Sequence, residues 1–576
     1  MHTAEGEPEA FHVVQVNGVP QTRERGALLL SLWGACLLVN FLVRACHSQP
    51  ASDCHDTARE EAGNVLPTTL APSPPQACPL TSPLPTSNRR RASMAPTANT
   101  AGSINRITRE IAHIQKGADL SLAVGCRDDD VRHVRALIVG PPDTPYEFGF
   151  FEFNFKFPKE YPIKSPNVNS ITTNSGTTRF NPNIYAHGKV CLSILGTWHG
   201  EKGEEWSSAQ GLESVLLSIQ SLMSSNPYEN EPGFEGDKLD QPAPAEYARK
   251  IRHETLRIAV IQRLEKILKI ENRVPETTPE TKVAADRGSS DTSTSTSSDG
   301  EGDTDTPSTE PSVYEYDAEA TYNSLNPAPW DPFEDLLKRR FLWYYDSYMA
   351  SIDKASAHQK DGKRFTNTRF EHTGNCMSGA YNYSVLRQRI DIIRTALSDE
   401  CTFWVKQGAK QVAAKTGLAT QLAFQFNQLK HRYNETSYSG TRLELSLPEK
   451  ENPFAWHLTL FGQSSTNLDS GVFNISLTIP PNFPAAWPRV YVETPIFHHR
   501  ISTSTGALCY FPDKPDDLGS HIKAIVAAIE DKQPTYDPRA AINPEATKLL
   551  WGGETDKKTY FRKLRRSAQE SSEFWA

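Results

Sequence analysis

Residues 179–198 read RFNPNIYAHGKVCLSILGTW, and the fold turns on them. Cys191 follows Gly188-Lys189-Val190 and precedes Leu192, and the tripeptide Asn181-Pro182-Asn183 begins ten residues ahead of it. A free cysteine is by default a small buried hydrophobe, which is how Cys126, Cys376 and Cys401 are read. Cys191 differs because a whole pattern surrounds it. A papain-type hydrolase would need its cysteine at a helix start with a histidine from elsewhere in the fold. His187 lies on the wrong kind of segment for that.

Upstream, Ile104, Ile107, Ile111 and Ile114 recur at helical spacing, with Ser103 expected to cap the helix and Gly117 to end it. Arg106, Arg109 and Lys116 occupy its polar face, by default a solvated one. Val131–Val139 reads as a strand and PPDTPYEFG as a turn; Phe151, Phe153, Phe155 and Phe157 then alternate with Glu152, Asn154 and Lys156, predicting an antiparallel meander with one apolar face. FPKEYPIKSPNV, with prolines at 158, 162 and 166, predicts a rigid extended loop. Downstream, Trp206-Ser207 leads into a helical run through Leu212, Val215, Leu216, Ile219 and Leu222.

Helix, meander, Tyr-Pro-x-x-x-Pro loop, Asn-Pro-Asn and Gly-x-Val-Cys-Leu together resemble the catalytic domain of ubiquitin-conjugating enzymes over about residues 100–270. NPYENEPGFE and the wording around Cys191 are most similar to the Z-type subfamily, which takes ubiquitin from an alternative activating enzyme. The resemblance implies an α+β fold in residues 100–272, with Cys191 carrying ubiquitin or a ubiquitin-like modifier as a thioester. A thiolate is both nucleophile and leaving group, and Asn183 is placed to donate to the oxyanion formed in transfer. Closing a turn with its own backbone is the other reading of Asn183, and both stand. Glu231 lies where the family places an acidic helper for the incoming lysine. Asn181, Pro182 and Trp206 are support residues; Asn181 stands where the family has His, a structural hydrogen-bonder. Tyr161, Pro162 and Ile163, with Ser207, Ser208 and Ala209, match the loops offered to ubiquitin ligases, and Arg106 and Arg109 the face for the activating enzyme. Ser208 replaces the family's Pro, and HGEKGEE is inserted ahead of Trp206, which puts partner choice in doubt.

The rest of the 576 residues divides by composition. Residues 1–99 are largely Pro-, Ser-, Thr- and Ala-rich and read as disordered, except for the apolar segment 27–43, ALLLSLWGACLLVNFLV. At 17 residues it sits at the short limit for a bilayer of about 30 Å. It is a membrane anchor, a buried or processed segment, or an over-extended start, since Met94 directly precedes the first folded pattern. Residues 273–325 are Ser/Thr/Asp-rich and predict a disordered acidic linker. Residues 326–410 predict a helical extension with two helices, FEDLLKRRFLWYYDSYM and YNYSVLRQRIDIIRTAL, whose Trp-Tyr-Tyr cluster is expected in a core.

Residues 415–576 repeat the first pattern: a helix at Leu422–Lys430, three alternating strands, FPAAWPRVYV, then Gly506-Ala507-Leu508-Cys509. Counting ten back from Cys509 places His499 as the first tripeptide residue, with Arg500 and Ile501 in place of Pro and Asn. With the amide donor lost and no Trp-Ser following, Cys509 and His499 read as a degenerate second site in a non-catalytic module.

A net charge of -8 at 38% hydrophobic and 23% charged excludes a globally basic nucleic-acid binder, and a mean hydropathy of -0.53 excludes a polytopic membrane protein. Nine cysteines without a Cys-x-x-Cys pair or regular spacing fit a reduced cytoplasmic or nuclear compartment. The expected partners are the modifier, its activating enzyme, ligases and protein substrates, and a membrane only if 27–43 is an anchor. No metal or organic cofactor is expected, ATP being used by the activating enzyme upstream. The competing reading is a non-catalytic scaffold of the same fold that binds ubiquitin or a ligase.

Overall fold

The computed structural model describes residues 100–117, 119–200, 203–270, 330–371, 377–435, 442–449 and 451–573. The apolar segment 27–43 and the acidic linker lie outside the described residues, as do Cys36, Cys46, Cys54, Cys78 and Cys376.

Helix α1 (Thr100–Lys116) begins before Ser103. Ser103 is therefore not the cap: it is buried in the helix, where its hydroxyl accepts from Arg132 at 3.3 Å. Ile107, Ile111 and Ile114 face the core and Ile104 is left at the surface. Strands β1 (Leu122–Arg127), β2 (Asp130–Val139), β3 (Phe150–Lys156) and β4 (Asn167–Ser170) form one antiparallel sheet in that order. Sequence patterning missed β1, and the proline stretch hides β4. Gly125 interrupts β1's apolar pattern for a packing reason: a Cβ there would lie 2.6 Å from Cβ of Pro332.

Phe151, Phe153 and Phe155 enter the inner core with α1, α2 (Leu212–Ser221) and α3 (Pro242–Glu254). The expectation of a single apolar face fails at the other side of the sheet. Leu137, Val139 and Phe150 are buried outward, and Glu152 is buried between Arg135 at 3.1 Å and Arg263. Their cover is the continuation of α3 through a π-helical stretch (Thr255–Gln262) into α4 (Arg263–Leu268), together with the extension.

The extension comprises α5 (Glu334–Ser356) and α6 (Tyr383–Ala413). Trp343, Tyr344 and Tyr345 are all buried. The second copy repeats the first: α7 (Gly417–Glu435), a sheet β5 (Arg442–Ser446), β6 (Ala455–Phe461), β7 (Val472–Thr478), β8 (Arg489–Val492), then α8 (Leu518–Glu530), α9 (Pro544–Leu550) and α10 (Glu554–Glu573). The end of FPAAWPRVYV is thus strand β8 rather than loop. Both sheets pair alike: Val139 faces Phe150 where β2 meets β3, as Phe461 faces Val472 where β6 meets β7.

Three cores result. One lies inside each copy, and a third joins the outer face of the first sheet, α4, α5 and α6 to Ala507, Cys509, Ala540 and Ile542 of the second copy. Among the described residues no helix is long and apolar enough to cross a membrane.

Candidate functional site

Gly188 shapes the approach to Cys191. Its φ is +95°, and a Cβ would lie 2.7 Å from the Ser170 carbonyl, so the chain can fold back beside β4 only with glycine here. The fold-back brings the tripeptide against the thiol-bearing residue. The Cys191 N–H donates to the Asn183 carbonyl at 2.8 Å, and Asn183 Nδ2 donates to the Cys191 carbonyl at 3.0 Å. A short 3₁₀ turn, Ser193–Leu195, follows. The Thr197 hydroxyl accepts from the Leu192 N–H at 3.0 Å and donates to the Val190 carbonyl at 2.7 Å, fixing both neighbours of the cysteine. Cys191 is 3% exposed, flanked by the surface side chains of His187 and Lys189 and the partly buried Leu192 and Ser193.

Asn181 is fully buried and fully used. Its Nδ2 donates to Tyr146 Oη at 3.0 Å and the Leu222 carbonyl at 2.8 Å, while its Oδ1 accepts from the Asn183 N–H at 2.9 Å and Asn230 Nδ2 at 3.4 Å. One side chain thus ties the tripeptide to the end of α2 and to the turn between Tyr146 and Phe148. Pro182 is buried, and its carbonyl accepts from Arg179 Nη2 at 2.5 Å.

Glu231 reaches the site indirectly. Its Oε2 accepts from the same Arg179 Nη2 at 3.2 Å, so the carboxylate braces the guanidinium that holds Pro182. Arg179 also lies over the Tyr185 ring at 4.6 Å and the Phe370 ring of the extension at 5.9 Å. Phe370 in turn packs on Tyr228 and Tyr247.

The two expected ligase loops are partly exposed. Ile163 is 75% exposed and Ser207, Ser208 and Ala209 are at the surface. Tyr161 is a correction: it is 2% exposed and its hydroxyl donates to Glu110 Oε2 at 2.5 Å, so it cannot face a partner. Pro162 is half-buried, and its carbonyl accepts from Trp206 Nε1 at 2.8 Å, locking one loop to the other. Glu110 Oε2 also takes the Leu212 N–H at 2.9 Å, at the start of α2. On the α1 face Arg109 is exposed, whereas Arg106 is turned to Glu110 and to the Gln210 carbonyl at 3.2 Å. Arg106 is thus part of the brace between helix and loops while its side chain stays 38% exposed. Arg179 and Glu110 were missed in the sequence, because the carboxylate that braces Arg179 and the tyrosine that binds Glu110 lie 52 and 51 residues away.

In the second copy the register assigned to His499 is off by one. Ile501 pairs with Leu508 as Ile184 pairs with Val190, and Cys509 N–H donates to the Arg500 carbonyl at 2.9 Å as Cys191 does to Asn183. His498, not His499, occupies the Asn181 position: its Nδ1 accepts from the Arg500 N–H at 3.1 Å, as Asn181 does from Asn183. The segment between tripeptide and cysteine is one residue longer, which plain counting cannot reveal. Arg500 therefore stands where Asn183 does, and the amide is absent.

Helix α5 lies on this site. Thr503 donates through N–H and hydroxyl to Asp346 at 2.7 and 3.0 Å, and the Thr505 hydroxyl donates to the Leu342 carbonyl at 3.2 Å. Cys509 is fully buried in the central core, and that burial pushes its thiol up to about 11. His498 falls to about 3, and His499, whose Nδ1 meets Tyr560 Oη at 3.0 Å, is also held far below its ordinary range, burial being the cause in both. Among the described residues no group of three or more His, Cys, Asp or Glu could hold a metal ion.

The ubiquitin-conjugating enzyme family model matches residues 106–254 and 427–514. The chain is 52% identical over 160 residues to the Xenopus tropicalis protein named ubiquitin-conjugating enzyme E2 Z, covering 28% of this chain and 50% of that one. It is 52% identical over 161 residues to the Homo sapiens protein of that name, covering 28% and 44%. It is 40% identical over 176 residues to the human dual E2 ubiquitin-conjugating enzyme/E3 ubiquitin-protein ligase BIRC6, covering 29% and 4%. The chain thus spans about half the length of the E2 Z relatives it matches. Two segments of the chain thus match the ubiquitin-conjugating enzyme family, with one sheet pairing repeated in both; the first copy is similar to the E2 Z proteins and the second is a divergent copy of the same fold.

Proposed function

We propose that the chain is a ubiquitin-conjugating enzyme with one working thiol, Cys191. The sulfur attacks the carbonyl at the C-terminus of ubiquitin or a related modifier held as a thioester on the activating enzyme; a new S–C bond forms, and the activating enzyme's thiol departs. A substrate lysine amine then attacks the same carbonyl, its N–C bond forms, the amine loses a proton, and the Cys191 thiolate leaves. Asn183 offers the amide donor for the oxyanion of both steps. At 3% exposure the thiol meets its partner only after neighbouring side chains shift. The observation that carries this reading is the reciprocal pair of hydrogen bonds between Asn183 and Cys191, which ties the amide to the backbone of the residue that bears the thiol.

Glu231 acts by bracing Arg179 rather than by taking the lysine's proton, given the ion pair at 3.2 Å. Ile163 and the Ser207–Ala209 loop are the surface for ligases, and Arg109 remains for the activating enzyme. No metal or organic cofactor takes part, ATP being spent upstream, and the setting is a reduced cytoplasmic or nuclear one. The second copy is a non-catalytic module, because α5 covers Cys509 and Arg500 replaces the amide.

The test is a non-reducing gel of the full chain incubated with ubiquitin, ATP and each type of activating enzyme. A thiol-sensitive adduct retained in Cys509→Ala and lost in Cys191→Ala is the expected result. An adduct lost only in Cys509→Ala would reverse the roles of the copies. No adduct from a folded protein with either activating enzyme would leave the scaffold.

A further inference from the structure

A cleft lies where the two copies meet through α5. Its walls are apolar side chains from the outer face of the first sheet, among them Leu137 and Val139, with Phe511 from the second copy; its charged lining is Arg339 and Arg340. Both arginines are at least nine-tenths buried, at 3% and 5% exposure. Arg339 gives Nε to Asp335 at 2.9 Å and Arg340 gives Nη1 to Tyr344 Oη at 2.7 Å, yet Arg339 Nη2 and Arg340 Nε have no hydrogen-bond partner.

Charge is unbalanced at the same place. Lys338, Arg339 and Arg489 pair with Glu334, Glu400 and Asp335, and no described carboxylate forms an ion pair with Arg340. Asp537 is near enough to act on the Tyr344 hydroxyl, but its hydrogen bonds go to Arg539 and it takes neither free N–H. The rings of Trp343 and Tyr344, 5.2 and 6.0 Å from the Arg340 guanidinium, attract the cation without accepting its N–H. Burial already lowers Arg339 to about 10, which leaves it cationic at neutral pH. A buried charge without a partner is costly.

Water fits poorly here, since it would use both donors but find no acceptor among the lining side chains for its own hydrogens. A phosphate has three or four oxygens to satisfy, more than two donors between apolar walls can serve. A monoatomic anion needs donors only, and its desolvation is offset by neutralising a guanidinium charge that is otherwise buried without a counter-ion. We propose that this cleft binds a halide-class anion, chloride in practice, held by Arg339 Nη2 and Arg340 Nε, and that the bound ion helps fasten the second copy to the outer face of the first sheet.

Thermal unfolding of the full chain tests this, with sodium chloride exchanged for sodium gluconate at constant ionic strength. The wild type is expected to show a saturable rise in Tm with chloride of roughly 2–4 °C, reproduced by bromide. Arg340→Leu removes one donor and the unpaired charge. Ala123→Leu fills the cleft from the partly exposed side of the first sheet and leaves both donors in place. Each variant is expected to melt equally in chloride and gluconate. Equal melting of the wild type in the two salts, or a chloride effect that persists in Ala123→Leu, overturns the proposal; should Arg340→Leu not fold, Ala123→Leu alone decides it.

Discussion

Asn183 gives its amide to the carbonyl of the residue that bears the thiol, and its own carbonyl takes that residue's N–H. The two sequence readings of this residue, turn closer and donor beside the sulfur, are therefore compatible: the same side chain that closes the turn stands next to Cys191. Asn183→Ala should leave thioester loading detectable but slow discharge to free lysine by about 10²- to 10³-fold in single-turnover assays. Discharge at the wild-type rate would confine Asn183 to a structural role. Asn181 was legible as a structural hydrogen-bonder, and its four polar contacts use the whole amide. Arg179 was not legible, because its meaning lies in joining Pro182 to Glu231 and the Phe370 ring, contacts that exist only once the chain has folded.

At the scale of elements, period-2 alternation in Phe151–Phe157 located β3 and its inner face. It could not show that Leu137, Val139 and Phe150 are covered on the outer face, since that cover comes from helices far along the chain. The second copy shows a limit of a different sort. Its tripeptide was assigned by counting, and the added residue before Cys509 moved the equivalence from His499 to His498.

That copy also concentrates buried neutral histidines. Burial holds His498 near 3, His521 near 4 and His499 lower still, against an ordinary value of 6.5. Above pH 6.5 neither the folded nor the unfolded chain protonates them. As pH falls below 6.5 the unfolded chain binds protons that the folded copy refuses, so stability is lost toward pH 4, at roughly 1.4 kcal/mol per histidine per pH unit. Limited proteolysis of residues 415–573 should therefore accelerate steeply between pH 7 and pH 5, by a protease equally active at both. A flat profile would mean that the histidines are not held neutral.

On the scale of the molecule, α5 and α6 link the two copies by buried charge as well as by apolar packing. Arg389 binds Glu265 through two bonds at 2.8 and 2.7 Å, and Asp335 joins Arg339 at 2.9 Å to Arg489 of the second copy at 2.8 Å. Burial alone would raise the Asp335 carboxyl, but the two guanidiniums outweigh it and hold it below its ordinary range. Asp335→Asn leaves Arg489 buried beside a neutral group and should cost about 3–5 kcal/mol, read as a lower urea midpoint. Loading of Cys191 should persist, since Asp335 touches none of its neighbours. An unchanged midpoint would show that the copies are held by the apolar core alone.

The chain's sequence alone determined α1, β2 and β3 with their counterparts α7, β6 and β7, the placing of Cys191 ten residues behind its tripeptide, the loss of the amide in the repeat and the kinship of the two copies. These features follow from local periodicity and short spacings, which survive without knowledge of distant partners. Only the tertiary structure decided that Tyr161 turns inward, that Glu231 braces an arginine, that His498 fills the first tripeptide position and that α5 covers Cys509. Each of those depends on which far-off surface removes a side chain from water, and burial of that kind is a property of the packed molecule, not of the segment.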